Sequence, residues 1–204
     1  MKEIFSGVFM DGKKLFTKDF AGKQRAWDPE KSKLAATIIN GLKDLEIKEG
    51  SILLYLGAST GTTVSHISDI VGKKGIVYAV EFSERVFHSL LDLAEKRKNI
   101  APLLADARKP ENYAWVEEVD VVFCDVAQPD ETEIAIRNAN IFLKKDGMLY
   151  ISIKSQSIDV TKSPDKIYKQ ESEKLKKNGF DVLQLIDLEP HQEKHAMVVA
   201  KKQA

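Results

Sequence analysis

A single cysteine, Cys124, stands among 204 residues, which excludes an intramolecular disulfide framework and any zinc site built from several cysteines. No apolar run approaches the roughly 20 residues needed to cross a bilayer, and the opening Met1-Lys2-Glu3-Ile4-Phe5 lacks the basic-then-apolar pattern of a leader. Charge of one sign is also missing in excess, with 31 Lys plus Arg against 31 Asp plus Glu. A histone-like or tail-driven nucleic-acid binder holds its partners with surplus Lys and Arg, so that class is excluded. RNA itself stays open, because only local clusters need be basic. His66 and His88 fall in helical patterns and His195 opens a strand, so no pair has metal-ligand spacing and no metal is expected. These absences describe a soluble intracellular protein in a reducing compartment, with no membrane partner and about one domain of core.

What is present is unevenly distributed. Residues 1–50 carry a net charge of +2, residues 51–150 a net of −4 and residues 151–204 a net of +2. Lys13, Lys14, Lys18, Lys23 and Arg25 face only Asp19, a local excess that reads equally as a solvated surface loop or a basic patch.

Apolar residues on both sides of Met10-Asp11-Gly12 predict a hairpin, hence a small N-terminal β region over 1–26 ahead of the main domain, 27–204. Asp28 as N-cap with Pro29 at the first helical position predicts a helix through Ile39. From Ser51 the chain alternates regularly. Strands are expected at Ser51–Leu56, Gly75–Val80, Ile100–Ala105, Val119–Cys124 and Gly147–Ile153. Helices are expected at Thr62–Val71, Glu84–Lys98 with Ser83 as cap, and Glu131–Phe142. The tail adds a charged helix, Pro164–Lys177, and two strands, Phe180–Leu188 and His195–Lys201, whose short connection makes them antiparallel. The fold class is therefore α/β: a doubly wound, mostly parallel seven-stranded sheet with an antiparallel C-terminal hairpin.

Chemistry is expected where the strands end. Gly57-Ala58-Ser59-Thr60-Gly61 joins the first parallel strand to a helix, where glycines permit a tight turn and the helix start offers free N–H groups. The third glycine of the dinucleotide fingerprint is absent. Glu81, twenty residues past Gly61 at the end of the second strand, is placed to accept hydrogen bonds from ribose hydroxyls. Asp106 and Asp125 end the third and fourth strands, completing a row of acids at the ligand edge. The same turn also satisfies G-x-S-x-G, with Ser59, Asp125 and His191 in hydrolase order. That reading fails on topology, because no earlier parallel strand could supply an oxyanion loop. Cys124, inside an apolar strand, reads as core.

Five segments together resemble the fibrillarin-like family of S-adenosylmethionine-dependent RNA 2′-O-methyltransferases. They are Arg25–Ala36, Tyr55–His66, Val80-Glu81-Phe82-Ser83, Asp125-Val126-Ala127-Gln128-Pro129 and the strand ending in Lys154. The chain lacks the Gly/Arg-rich region of eukaryotic members, so it is similar to the archaeal type, which implies a cytoplasmic rather than nucleolar setting. The resemblance implies a class I, Rossmann-like fold and S-adenosyl-L-methionine as cofactor. It implies a cofactor site of Gly57, Ala58, Gly61, Thr62 and Thr63 around the methionine end, Glu81 on the ribose, Phe82 on the adenine face and Asp106 with Ala107 on its edge. Asp125, Val126, Ala127 and Gln128 would border the sulfonium and the substrate. The family's Lys-Asp-Lys-His set is matched by Lys33, Asp125, Lys154 and His191, and sequence leaves open which group takes the proton. Implied partners are box C/D guide RNA, target rRNA or tRNA, a coiled-coil scaffold protein and, indirectly, a kink-turn-binding protein. The alternatives are a non-catalytic or guide-independent protein of the same fold.

Overall fold

Polar and apolar residues alternate through the first strands, Leu15 and Thr17 facing in while Lys14 and Lys18 face out. In the computed structural model, which describes residues 1–203, this pattern folds as a four-stranded antiparallel meander. Its strands are β1 (Lys2–Phe5), β2 (Val8–Asp11), β3 (Lys14–Lys18) and β4 (Gln24–Trp27), so the expected hairpin gains a strand on each side.

The Asp28 cap is a correction. Helix α1 runs Lys33–Ile39 and is capped by Ser32, whose Oγ accepts the Ala35 N–H. Asp28 instead accepts the Glu30 N–H at 3.0 Å, the local turn that an Asx side chain closes two residues ahead, and Pro29 lies in that turn.

The remaining elements are β5 (Ile52–Leu56), α2 (Thr62–Val71), β6 (Ile76–Glu81), α3 (Glu84–Lys96), β7 (Ile100–Leu104), β8 (Val119–Cys124), α4 (Glu131–Phe142), β9 (Leu143–Lys154), α5 (Ser155–Ile158), α6 (Pro164–Lys177), β10 (Phe180–Asp187) and β11 (His195–Lys202). The sheet order is β10-β11-β9-β8-β5-β6-β7, with every strand running the same way except β11, which pairs antiparallel with both β9 and β10. Strand β9 begins at Leu143, directly after α4, earlier than the expected Gly147. Ser83 holds the N-cap position of α3, yet its side chain makes no capping bond. No helix is long and apolar enough to cross a membrane.

Alternate strand residues feed two buried layers. Leu53, Tyr55, Val121, Phe123 and Tyr150 pack with α1, α2 and the N-terminal sheet, whereas Leu54, Leu56, Val122, Leu149 and Ile151 pack with α4 and α6. Tyr55, Phe123 and Tyr150 stack in a row across the first layer, with ring centroids 4.7 and 6.0 Å apart. At the strand ends, Leu56 lies opposite both Val80 and Cys124. A Cβ on Gly57, whose φ is +81°, would sit 2.6 Å from the Asp125 carbonyl oxygen. Glycine is thus demanded both by the left-handed turn and by the close approach of the β8 exit.

A buried ion network joins the N-terminal sheet to α2. The Asp69 carboxylate, with no exposed surface, binds Arg25 from β4, Arg97 at 2.5 Å and the Thr17 hydroxyl at 2.7 Å. Arg25 therefore leaves the expected basic surface cluster, while Lys13, Lys14, Lys18 and Lys23 stay exposed. His66 stacks on Trp27 at 4.9 Å, and burial together with Arg25 and Arg97 lowers its pKa to about 3. The neutral ring donates from Nδ1 to Thr17 Oγ1 at 2.7 Å, since the hydroxyl proton is given to Asp69. Asp69→Ala leaves two guanidinium groups and Thr17 without their acceptor. It should cost about 3–5 kcal/mol in denaturant unfolding, and a loss under about 1 kcal/mol would contradict the network's role.

Candidate active site

The strand order reverses at β5, between β6 and β8, and the crevice beyond the carboxyl ends at such a point is where open α/β sheets take ligands. A cavity of about 190 Å³ opens there. Its wall includes Gly57, Glu81, Phe82, Asp106, Ala107, Asp125, Val126, Ala127 and Gln128, nine of the thirteen expected cofactor residues. Ser59 and Arg108 line it as well. Ala58, Gly61, Thr62 and Thr63 are outside this wall, along the turn and the first residues of α2.

Register explains the row of acids. Glu81 ends β6, its carbonyl accepts the Ala105 N–H, and Asp106 follows; Asp125 donates its N–H to the Leu56 carbonyl. Glu81 is buried, and it does more than face a ligand. Its carboxylate accepts the Ser59 N–H at 2.7 Å and the Ser83 N–H at 2.8 Å, so one side chain fixes both the glycine turn and the start of α3. Ser59 has a φ of +51°, a left-handed geometry that this bond helps to hold. Phe82 next to it is 67% exposed, an aromatic face left uncovered at the cavity rim. Arg108 pairs with Asp106 at 2.9 Å and holds its carboxyl below the usual carboxylate range.

Asp125 gathers the rest of the site. Lys33 Nζ lies 2.8 Å from its Oδ1, and the Tyr55 hydroxyl donates to its Oδ2 at 3.2 Å. Burial, then the Asp125 charge, pushes the Tyr55 phenol well above its ordinary range, so it remains a donor. Of the two lysines in the expected set, Lys33 is the one that pairs with Asp125. Ser32 explains why Lys33 arrives there: besides capping α1, its Oγ bonds Thr63 Oγ1 at 3.0 Å, which ties the head of α1 to the head of α2.

Lys154 ends β9 opposite His195, the first residue of β11. His195 is the histidine that senses this site, its pKa lowered by burial and by the Lys33 and Lys154 charges against the opposing pull of Asp125 and of its bond to the Glu193 carbonyl. His191 is placed differently. Its Nδ1 meets Glu30 Oε1 at 2.6 Å, on the turn that leads into α1, while Gln192 Nε2 donates to the Pro29 carbonyl at 2.8 Å. That pair of contacts closes the loop between β10 and β11 over the entrance to α1. Tyr55, Ser32, His195 and Glu131 were not singled out from sequence. For His195 the signal was partial: an antiparallel strand beside β9 brings its start near the end of that strand, and the observed register sets His195 opposite Lys154.

The arrangement offers a concave, partly apolar pocket with carboxylates for a polyhydroxylated, nitrogen-rich ligand, and beside it the Lys33–Asp125 pair. Comparison with known proteins agrees with this geometry. The fibrillarin-like rRNA/tRNA 2′-O-methyltransferase of Sulfurisphaera tokodaii is 50% identical over 201 residues, covering 98% of this chain and 86% of that one. A solved fibrillarin/Nop5p complex superposes with a TM-score of 0.92 at 39% identity, covering 98% of this chain and 100% of that one. Aeropyrum pernix fibrillarin, solved with natively bound S-adenosyl-L-methionine, gives a TM-score of 0.87 at 40% identity over 98% and 96% of the two chains. The family model described as Fibrillarin matches residues 2–204, and the chain belongs to the fibrillarin family.

Proposed function

We propose that this chain transfers a methyl group from S-adenosyl-L-methionine to a ribose 2′-hydroxyl of rRNA or tRNA, as the catalytic subunit of a box C/D guide-RNA particle. The observation that carries the reading is one continuous site. The switch-point pocket with Glu81, Phe82 and Asp106 runs directly into the Lys33–Asp125 pair. Relatives named as 2′-O-methyltransferases, a relative with natively bound cofactor and a relative in complex with Nop5p support it.

The residues present fit the cofactor. An uncovered aromatic face beside a buried carboxylate suits a nucleoside, and Asp125 suits a positive centre. Bound there, the cofactor supplies an electrophilic methyl group on a cationic sulfur. The chain must therefore orient an alcohol and manage its proton. Orientation is the larger task, worth roughly 7–11 kcal/mol in favourable cases. Asp125, held from two sides by Lys33 and Tyr55, is the fixed reference for that geometry. Lys154, at the end of β9 and without an ion pair among the described residues, is the group free to meet the hydroxyl and its developing charge. His195 fits the histidine place of the family's set better than His191, because it stands opposite Lys154.

A nearly neutral chain needs help to hold RNA. A guide strand would choose the target by base pairing, and a scaffold protein of the Nop5p kind would contribute RNA affinity, which suits the absence of any strongly basic excess.

Two variants separate binding from chemistry. Lys154→Ala should keep cofactor affinity in calorimetry and lose guide-dependent labelling of RNA; full labelling would sink the assignment. Glu81→Ala should weaken cofactor binding about tenfold or more, since it removes a ribose acceptor and loosens the glycine turn. Unchanged affinity would refute that role. Labelling of RNA by the wild-type chain with scaffold protein but no guide would refute guidance.

A further inference from the structure

The peptide N–H of Lys154 has an unusual partner. On the β8 side of β9 the sheet has run out, because β8 stops at Cys124 and its chain turns away through Gln128. A strand-end N–H in that position would face a gap left by the missing neighbour. The gap is filled by a side chain from α4: Glu131 Oε1 accepts the Lys154 N–H at 3.0 Å. Glu131 is the first residue of α4 and has no exposed surface. Its own N–H donates to the carbonyl of Gln128, a residue of the cavity wall, and its carbonyl accepts the Cys124 thiol. It thus bonds the end of β9, the end of β8 and the cavity wall at Gln128 through one residue.

We propose that Glu131 is a positioning residue for the methyl transfer: its carboxyl stands in for the missing strand, fixes the backbone of Lys154 and so aims the Lys154 amine. The inference rests on the proposed function. Arg, Lys or water could satisfy a carboxyl at less cost, yet Oε2 is buried without a partner among the described residues. The groups facing it are Glu171 from α6, Asp125, Lys33 and the backbone of Lys154. Burial raises the carboxyl to about 9, with Glu171 and Asp125 adding to it against the Lys154 N–H and Lys33. Near neutral pH Glu131 is therefore an uncharged acceptor. It holds the lysine's backbone without binding its amine as an ion pair, so the amine stays available for substrate.

The role separates the oxygen from the charge. Glu131→Gln keeps an acceptor of the same length and removes the titration, whereas Glu131→Met keeps the length and removes the acceptor. In the particle assembled with guide RNA and scaffold protein, E131Q should keep kcat within about twofold. E131M should lose about tenfold or more, with cofactor affinity in calorimetry unchanged. Where E131M does not fold, E131D withdraws the acceptor by one methylene and should lower kcat in the same way. Stability gives an independent readout. The folded pKa of about 9 lies above the ordinary 4.5, so wild type loses stability as pH rises across that window and E131Q does not. E131Q should therefore melt with wild type at pH 4 and above it at pH 8. Wild-type kcat in E131M, or in E131D where E131M does not fold, or an equal loss in E131Q, would overturn the inference. Absence of guide-dependent transfer by wild type itself would instead overturn the function on which it rests.

Discussion

One carboxylate organises the site. Asp125 stands where β8 ends, its backbone locked to Leu56 and its two oxygens divided between Lys33 and Tyr55. Each partner arrives by a separate constraint. Tyr55 comes from the central strand, in a stacked aromatic row, and Lys33 from a helix whose cap is bonded to the head of α2. Moving Asp125 would disturb a core tyrosine, the N-terminal helix and the cavity wall together. Gly57 makes the point from the other side, since any side chain there would press on the Asp125 carbonyl.

The acidic row performs two kinds of work. Asp106 and Asp125 each hold a cation, whereas Glu81 holds two backbone N–H groups. A ligand in this pocket meets carboxylates already oriented by the protein, and preorganisation of that kind lowers the cost of binding. The price falls on plasticity: the turn that shapes the pocket depends on the same carboxylate that a ribose would engage. The N-terminal sheet is integrated just as firmly, because Trp27 stacks on His66 and Asp69 draws Arg25 and Thr17 across to α2.

Much of this was legible in the chain. Apolar runs of strand length, separated by helical periods, specify the parallel sheet, and the short connection before His195 specifies the antiparallel edge. The acids at Glu81, Asp106 and Asp125 follow from counting to the ends of those runs. Other features were hidden for physical reasons. Asp28 and Ser32 are both good caps, and only the turn closed by Asp28 leaves Ser32 to start the helix. His191 and His195 differ by four residues, and pairing with β9 decides which of them faces Lys154. Tyr55 and Glu131 look like a strand aromatic and a helix-start acid; their partners lie 70 and 23 residues away, a separation that no local pattern encodes.

If Asp125 acts through its pairing with Lys33 rather than as an isolated charge, the two side chains are coupled in the reaction. A double-mutant cycle on kcat tests it, using Lys33→Ala, Asp125→Asn and the double variant in the assembled particle. The pairing predicts strong non-additivity, with the double variant about as slow as the slower single variant. Losses that simply multiply would contradict it.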